Sequence, residues 1–256
     1  MTDAHPAELF RLDGKCALVT GARQGIGRTI AAALARAGAD VAITSRTAGE
    51  LGATAEDVRA HGRRAALLEL DVTRSGDVDA AIARSVDELG RLDIVVNNAG
   101  VTVRAPAVEL TDDEWNTVLA TNLTGTFLVC RAAARVMHET GGRIINLSST
   151  FARVPAPTRA AYAASKAGVE QLTRVLAQEW APSITVNAIA PTTVVTETRA
   201  ELFSDPAVRE ARTAEIPMGR LATADDLVGA VLLLAGPAGG FITGQTLVVD
   251  GGFSLG

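Results

Sequence analysis

The chain has 256 residues and a formal net charge of −5, because 29 Asp and Glu outnumber 24 Lys and Arg. With 48% hydrophobic residues it can bury a large core, which argues against an intrinsically disordered chain. The acidic balance argues against nucleic acid and anionic membranes as partners. No apolar run reaches the roughly 18 residues of a membrane helix, and the N-terminus lacks the apolar centre of a secretion signal, so we expect a cytoplasmic protein.

Short apolar segments alternate with longer amphipathic segments along the chain. The apolar segments predict seven strands, at residues 15–20, 40–45, 65–71, 92–98, 143–149, 184–191 and 246–250. The amphipathic segments predict six helices, at residues 26–37, 48–61, 75–88, 112–140, 162–180 and 224–234. Several strands are apolar on both faces, as buried parallel strands are. The alternation predicts one α/β domain over residues 1–256, a Rossmann-type doubly wound fold with a seven-stranded, mainly parallel sheet and helices on both faces.

The stretch 192–221 breaks this alternation, because it contains no clear strand. It lies just before the last predicted helix and strand, and an insertion at such a place is a candidate lid or substrate loop. We therefore predict a substrate-binding loop at about residues 192–221.

A glycine-rich turn follows the first predicted strand and leads directly into a helix. Its sequence is Thr20-Gly21-Ala22-Arg23-Gln24-Gly25-Ile26-Gly27. This order of elements is typical of dinucleotide binding: Gly21 permits the tight turn, Gly25 lets the backbone approach a pyrophosphate, and Gly27 lets the helix pack closely. The helix N-terminus adds N–H donors and the positive end of its dipole. An ordinary glycine-rich turn between strand and helix is the alternative interpretation.

The spacing of these glycines and several further motifs resemble those of the short-chain dehydrogenase/reductase family over essentially the whole chain. The matching segments are the glycine turn, Asp71-Val72, Asn97-Asn98-Ala99-Gly100, Asn122, Ser149, Tyr162 with Lys166, and Asp250-Gly251-Gly252. The segment NNAGVTVRAP, residues 97–106, is most similar to the matching segment of sugar-acid and polyol dehydrogenases. The resemblance implies a nicotinamide-dependent carbonyl reductase or alcohol dehydrogenase that forms a homotetramer through its two long helices.

The end of the second predicted strand indicates which nicotinamide cofactor is used. An acidic side chain there would bind the ribose 2′-hydroxyl of NAD and repel the 2′-phosphate of NADP. Ser45 stands where NAD-dependent members of the family usually carry Asp, and Arg46 follows it. Arg46 and Arg23 can make charge-assisted hydrogen bonds to a phosphate. We therefore predict that NADP(H) is favoured, with NAD(H) as the alternative if Arg46 is only a solvated surface residue.

The family resemblance implies further cofactor contacts. It places Asp71 and Val72 at the adenine, and Asn98 and Ala99 beside the adenosine ribose. After the sixth strand the family usually has Pro-Gly, whereas this chain has Pro191-Thr192. The predicted cofactor-binding residues are Gly21, Arg23, Gln24, Gly25, Ile26, Gly27, Ser45, Arg46, Asp71, Val72, Asn98, Ala99, Gly100, Tyr162, Lys166, Pro191, Val194 and Thr196.

Tyr162 and Lys166 are four residues apart in a helical pattern, so both project from one face of the helix. Tyr162 is the only tyrosine, and Ser149 lies thirteen residues upstream at the end of a predicted strand, where ligands bind in open parallel sheets. A phenol can exchange a proton with an alcohol, but its pKa near 10 is about three units too high for a base at neutral pH. A lysine cation about 4 Å away supplies roughly the 4 kcal/mol that this shift needs. The alternative is an exposed surface pair, and Ser148 is the neighbouring alternative to Ser149.

The resemblance implies two further roles in the catalytic group. Lys166 would also hold the nicotinamide ribose, and Asn122 would anchor a water that links the lysine to solvent. A purely structural, hydrogen-bonded asparagine is the alternative for Asn122. The predicted catalytic residues are Asn122, Ser149, Tyr162 and Lys166.

Substrate contacts are expected in the loops around the mouth of the site. The candidates are Arg104, Phe151, Arg153 and Val195, with Arg199 as a further arginine. The arginines would attract an anionic substrate such as a sugar acid, whereas solvated surface arginines are the alternative. The histidines are scattered and the two cysteines form no ligand motif, so we predict no metal.

These observations together predict an oxidoreductase. It would transfer a hydride between NADP(H) and a secondary alcohol or ketone, such as a sugar acid, polyol or small carbonyl compound, with Tyr162 as general acid and base. The alternative within the same class is a 3-oxoacyl-thioester reductase. The alternative of another class is a non-catalytic nucleotide-binding sensor, because a fold does not dictate a function.

Overall fold

A seven-stranded parallel sheet forms the centre of the computed structural model, which describes residues 5–197 and 203–255. The strands of this sheet are β1 (Cys16–Val19), β2 (Asp40–Ser45), β3 (Ala65–Glu69), β4 (Ile94–Asn97), β5 (Gly142–Leu147), β6 (Ile184–Pro191) and β9 (Thr246–Val249). Their order is β3-β2-β1-β4-β5-β6-β9, and every neighbouring pair is parallel. The order reverses between β1 and β4, so a crevice opens beyond their carboxyl ends.

Helices cover both faces of the sheet. They are α1 (Gly25–Arg36), α2 (Gly52–Ala60), α3 (Ser75–Leu89), α4 (Asp112–Leu119), α5 (Gly125–Met137), α6 (Ala160–Trp180), α7 (Pro206–Ala214) and α8 (Val228–Ala235). Successive side chains of β1 point to opposite faces, so Val19 joins the core under α1, α2 and α8, whereas Leu18 joins the core under α3, α5 and α6. Both side chains are fully buried. The predicted fold class is confirmed.

The region predicted as one helix over residues 112–140 is helical without interruption from Asp112 to Met137. A capping box of Thr111 and Glu114 begins α4, and a π-helical turn (Ala120–Thr124) joins α4 to α5. The prediction of one helix is therefore confirmed, with its end at Met137, three residues before the predicted end. Asn122 lies in this turn, and its side chain contacts the loop after β4, as described below. Such π turns occur frequently at functional sites.

The segment 192–221 contains more regular structure than its sequence pattern predicts. A short strand β7 (Val194–Val195) pairs in parallel with β8 (Ala222–Thr223), and helix α7 follows Asp205, whose side chain caps it. The sequence analysis did not predict α7, none of whose residues is buried. The prediction for Arg199 falls outside the described residues.

Candidate active site

A cleft of about 1050 Å³ lies at the carboxyl edge of the sheet, where the loops after β1 to β6 meet. It is lined by all the predicted cofactor-binding residues and by three of the four predicted catalytic residues, Ser149, Tyr162 and Lys166. Asn122 lies behind the wall of the cleft, fully buried. The cleft also includes residues that the sequence interpretation missed, among them Thr47, Glu50, Thr73, Thr102, Thr117 and Thr121. These residues belong to no recognisable motif, so only the fold brings them to the site.

The glycine turn is shaped for close contact with a ligand and with β4. Gly21 and Gly25 have φ values of +63° and +59°, which favour glycine. A Cβ atom on Gly27 would lie 2.5 Å from the carbonyl oxygen of Gly21 and 2.6 Å from Nδ2 of Asn98. Nδ2 of Asn98 donates to the carbonyl oxygens of Thr20, at 3.0 Å, and Gly21, at 2.9 Å. The end of β4 thus holds the glycine turn in place.

The N-terminus of α1 can accept a phosphate. Its N-cap residue, Gln24, makes no capping hydrogen bond with its side chain, and the first turn of the helix contains no acidic residue. The first N–H groups and the positive end of the helix dipole are therefore open to an anion in the cleft. This arrangement fits the pyrophosphate of a dinucleotide.

The far end of the cleft carries the groups that would meet an adenosine. Oγ of Ser45 donates to the carbonyl oxygen of Thr47 at 2.6 Å, while Arg46 is exposed beside it. Asp71 accepts hydrogen bonds from the backbone N–H of Thr73, at 2.9 Å, and from its hydroxyl, at 2.7 Å. These bonds lower the pKa of Asp71 below its usual value. Asp71 therefore stays ionised at neutral pH.

Lys166 is the buried cation of the site. Its Nζ donates to the carbonyl oxygen of Leu147 at 2.6 Å and lies 5.7 Å from the centre of the Tyr162 ring. Burial lowers the pKa of Lys166 to about 8, because desolvation disfavours the charged form. The lysine is 5% exposed, whereas Tyr162 is half-buried and reaches the cleft. A phenol and a cation are thus held together beside the open cleft.

The two neighbouring serines at the end of β5 have different partners. Oγ of Ser148 lies 3.3 Å from the carbonyl oxygen of Lys166 and 3.2 Å from a carboxylate oxygen of Glu170, so it is bound to α6. Oγ of Ser149 accepts a hydrogen bond from the N–H of Phe151 at 3.2 Å, and its hydroxyl hydrogen is not used in that bond. Ser149 therefore has a donor for a ligand in the cleft.

Asn122 connects the π-helical turn to the loop after β4. Its Oδ1 accepts from the N–H of Val101 at 2.8 Å, and its Nδ2 donates to the carbonyl oxygen of Val101 and the hydroxyl of Ser165. A Cβ atom on Gly100 would lie 3.2 Å from Oδ1 of Asn122 and 3.7 Å from Nζ of Lys166. Asn122 and Lys166 therefore flank the same glycine, although they are distant in sequence.

Within the described residues, none of the predicted substrate residues lines this cleft. Arg153 is held by the buried Glu170, to which its Nε donates at 3.0 Å. Phe151 packs edge-to-face on Phe253 with ring centres 6.1 Å apart, and Arg104 is exposed. Val195 packs on an apolar cluster formed by Phe203, Ile216 and Leu221.

The sequence interpretation missed Arg159, whose guanidinium lies 5.2 Å from the centre of the Phe151 ring. It donates to the hydroxyl of Thr102 at 3.2 Å, and Thr102 lines the cleft. Arg159 stands three residues before Tyr162, but its position at the mouth depends on the loop that carries Phe151.

Other kinds of site have little support in the described part of the chain. Within residues 5–197 and 203–255, no three His, Cys, Asp or Glu side chains are grouped as metal ligands. No helix in these ranges is both long and apolar enough to span a membrane. Both cysteines, Cys16 and Cys130, are buried as free thiols.

A glycine turn, an open helix N-terminus and a Tyr–Lys pair in one cleft define a dinucleotide-binding oxidoreductase. Over residues 21–254 the chain matches the family model described as enoyl-(acyl carrier protein) reductase. It is 43% identical over 250 residues to D-threitol dehydrogenase of Mycolicibacterium smegmatis, covering 96% of this chain and 95% of that protein. The chain belongs to the short-chain dehydrogenase/reductase family, and it is an enzyme.

Two further relatives have different named activities. The chain is 40% identical over 248 residues to a 3-oxoacyl-acyl-carrier-protein reductase of Vibrio harveyi, covering 96% of this chain and 100% of that protein. Its fold is also similar to that of a gluconate 5-dehydrogenase from Burkholderia cenocepacia, solved in complex with NADP and tartrate. That comparison has a TM-score of 0.93 and 39% sequence identity, over 98% of this chain and 100% of the other.

Proposed function

We propose that this enzyme interconverts a secondary alcohol and a ketone on a small hydroxylated substrate, a sugar acid or a polyol, with NADP(H). The observation that carries this proposal is the position of Lys166, whose Nζ lies 5.7 Å from the centre of the Tyr162 ring in the cleft that also contains the glycine turn. Bound NADP(H) would supply or accept the hydride. A proton must move in the same reaction, and Tyr162 is the residue we assign to it.

The residues around Tyr162 have distinct roles in this proposal. The ammonium group of Lys166 stabilises the phenolate form of Tyr162 and so makes it a base at a lower pH. The hydroxyl of Ser149 donates to the substrate oxygen and orients it. Asn122 lies behind the wall of the cleft. Its hydrogen bonds to Val101 hold the loop after β4, which lies next to Lys166.

The substitution Tyr162→Phe tests this assignment directly. Removing one hydroxyl leaves the ring and its packing, so we expect NADPH affinity within about twofold of the wild type. Turnover should fall by about 10²–10⁴-fold, the usual contribution of a general acid or base. Stopped-flow measurement of hydride transfer, beside a fluorescence titration of NADPH, checks both. Activity that survives this substitution contradicts the proton-transfer role.

The preference for NADP(H) is proposed from the charges at the end of β2. Ser45 leaves no carboxylate there, and Arg46 and Arg23 both line the cleft. The structural relative that was solved with NADP supports this choice. Substituting Arg46 by Ala should raise the KM for NADPH by about tenfold or more, because a charge-assisted hydrogen bond is worth about 1.5–3 kcal/mol and each 1.4 kcal/mol is tenfold. The KM for NADH should change little, and a wild type that prefers NADH refutes the proposal.

The substrate class is proposed from the relatives, because the named activities include a threitol dehydrogenase and a gluconate 5-dehydrogenase. A specific observation favours one second candidate, a 3-oxoacyl-thioester reductase, since the family model and the Vibrio harveyi relative carry acyl-carrier names. Turnover of sugar acids, polyols, ketoses and 3-oxoacyl thioesters, measured in parallel with NADPH and NADH, separates the candidates. Exclusive turnover of the thioesters would reverse our choice.

A homotetramer packed through the two long helices is part of the same proposal. Val136 on α5 and Val175 on α6 are each 41% exposed in the single chain, which leaves apolar side chains for a partner subunit. Light scattering coupled to size-exclusion chromatography checks the assembly, and a monomer would contradict it.

The cytoplasmic location inferred from the sequence stays a prediction, which cell fractionation can test.

A further inference from the structure

Glu50 is an acidic residue in the part of the cleft where the two predicted phosphate-binding arginines lie. Its Oε2 is 3.5 Å from Nε of Arg23, and both side chains line the cleft together with Ser45 and Arg46. The side chains of Arg23 and Glu50 are 45% and 50% exposed, so a ligand in the cleft can reach both. An anionic group placed between the arginines therefore meets a carboxylate that already occupies one of them.

Both members of this ion pair stand on fixed backbone. Glu50 belongs to a short 3₁₀ turn (Ala48–Leu51) that follows β2, and the side chain of Leu51 in this turn is fully buried. On the other side, Oγ1 of Thr54 lies 3.3 Å from the carbonyl oxygen of Arg23 and is itself fully buried. The start of α2 thus holds the glycine turn next to the turn that carries Glu50.

We propose that Glu50 is a specificity-determining residue that competes with the 2′-phosphate of NADP for Arg23. This inference rests on the proposed function, because it requires the dinucleotide to bind in this cleft. The phosphate must displace the carboxylate from Arg23 and then meets the negative charge of Glu50. The 2′-hydroxyl of NAD is neutral and meets neither obstacle. Arg23 and Arg46 favour NADP over NAD, and Glu50 reduces the difference between the two affinities.

The test uses Glu50→Gln, which removes the charge and keeps the shape, in the otherwise complete enzyme. Calorimetric titrations with adenosine 2′,5′-bisphosphate and with 5′-AMP measure the effect of the 2′-phosphate alone. We expect the bisphosphate to bind about fivefold more tightly to the variant, which corresponds to about 1 kcal/mol, the upper range for an exposed ion pair. The affinity for 5′-AMP should stay within twofold. Equal changes for both ligands, or no change for either, overturn the proposal.

Glu56→Gln is the matched control, because it removes the same charge from an exposed position on α2 outside the cleft. It should leave both affinities unchanged, and an effect as large as that of Glu50→Gln overturns the local explanation. In an Arg23→Gln background the effect of Glu50→Gln should be clearly smaller than in the wild type, because only the direct repulsion between Glu50 and the phosphate is left. An effect that persists in full there overturns the competition.

The same titrations separate this inference from the cofactor proposal. A wild type that binds both ligands equally contradicts the proposed NADP preference. A preference for the bisphosphate that then emerges in Glu50→Gln still supports the competition by Glu50.

Discussion

Replacing Lys166 by Met removes the cation that we propose lowers the pKa of Tyr162. The substitution keeps most of the volume, so the packing around α6 should change little. At the observed distance of 5.7 Å from Nζ to the ring centre, and with an effective dielectric constant near 20, the lost interaction is about 3 kcal/mol. That energy corresponds to a rise of about two units in the pKa of Tyr162. At a fixed pH below the pKa, about a hundredfold less phenolate is present.

The assay is the pH profile of kcat/KM for alcohol oxidation, in which the deprotonated phenol is the active form. The rate rises with pH through the pKa of Tyr162, so this rising limb should move up by about two pH units in Lys166→Met. Because the pKa of Lys166 is itself about 8, the wild-type limb should lie below that pH, where the lysine is still charged. Lys166→Arg keeps a cation and is the control, with a smaller shift.

A different outcome would refute the reasoning. If Lys166→Met lowers the rate equally at every pH and leaves the limb in place, the lysine contributes only to cofactor binding. The position of the limb, rather than the size of the loss, therefore decides between an electrostatic role and a purely binding role.

Three further predictions concern stability and reactivity. The folded pKa of Lys166 is about 8 and its usual value is 10.5, so between these pH values the unfolded chain binds the proton more strongly. The free energy of unfolding of the wild type, relative to that of Lys166→Met, should therefore rise by up to about 3 kcal/mol from pH 8 to 10.5. Urea unfolding measures it, and a difference that does not change with pH contradicts this prediction. Gly27→Ala places a Cβ 2.5 Å from the carbonyl oxygen of Gly21, so it should lower the free energy of unfolding by about 1–3 kcal/mol. It should also abolish NADPH binding in a fluorescence titration. Unchanged binding would show that the turn adapts to the methyl group. Burial raises the pKa of Cys130 to about 12 and that of Cys16 above its usual value, so a thiol reagent at pH 8 should label neither in the folded protein and both in denaturant; rapid labelling of the native protein contradicts the buried positions.

The fold and the cofactor cleft were largely predictable because their signals are local. Buried parallel strands are continuous apolar runs, and all seven predicted strands appear where those runs lie. Two of them, β2 and β6, have the predicted bounds, and the others differ by one or two residues at an end. The glycine turn and the pair Tyr162 and Lys166 are recognised from spacing along a few residues. Their convergence follows from topology, since the carboxyl ends of parallel strands meet at one edge of the sheet.

The substrate side of the site was the least predictable part. The sequence predicts that Arg153 lies in a loop, where its side chain could bind a ligand. In the structure its guanidinium is paired with the buried carboxylate of Glu170 on α6. Arg159 gave no signal and yet stands at the mouth, with its guanidinium over Phe151. The direction of a loop side chain depends on contacts with distant segments, and those contacts leave no periodic pattern.

The sequence by itself determined the layered α/β fold, and it predicted the glycine turn and the Tyr–Lys pair, because each signal lies in residues that are neighbours along the chain. Only the tertiary structure decided that Asn122 binds Val101, that Lys166 is buried against Leu147, and that Glu50 lies beside Arg23. Each of these depends on burial and distance between separate elements. Burial and distance set the pKa values and charges of the site, and they exist only once the chain is folded.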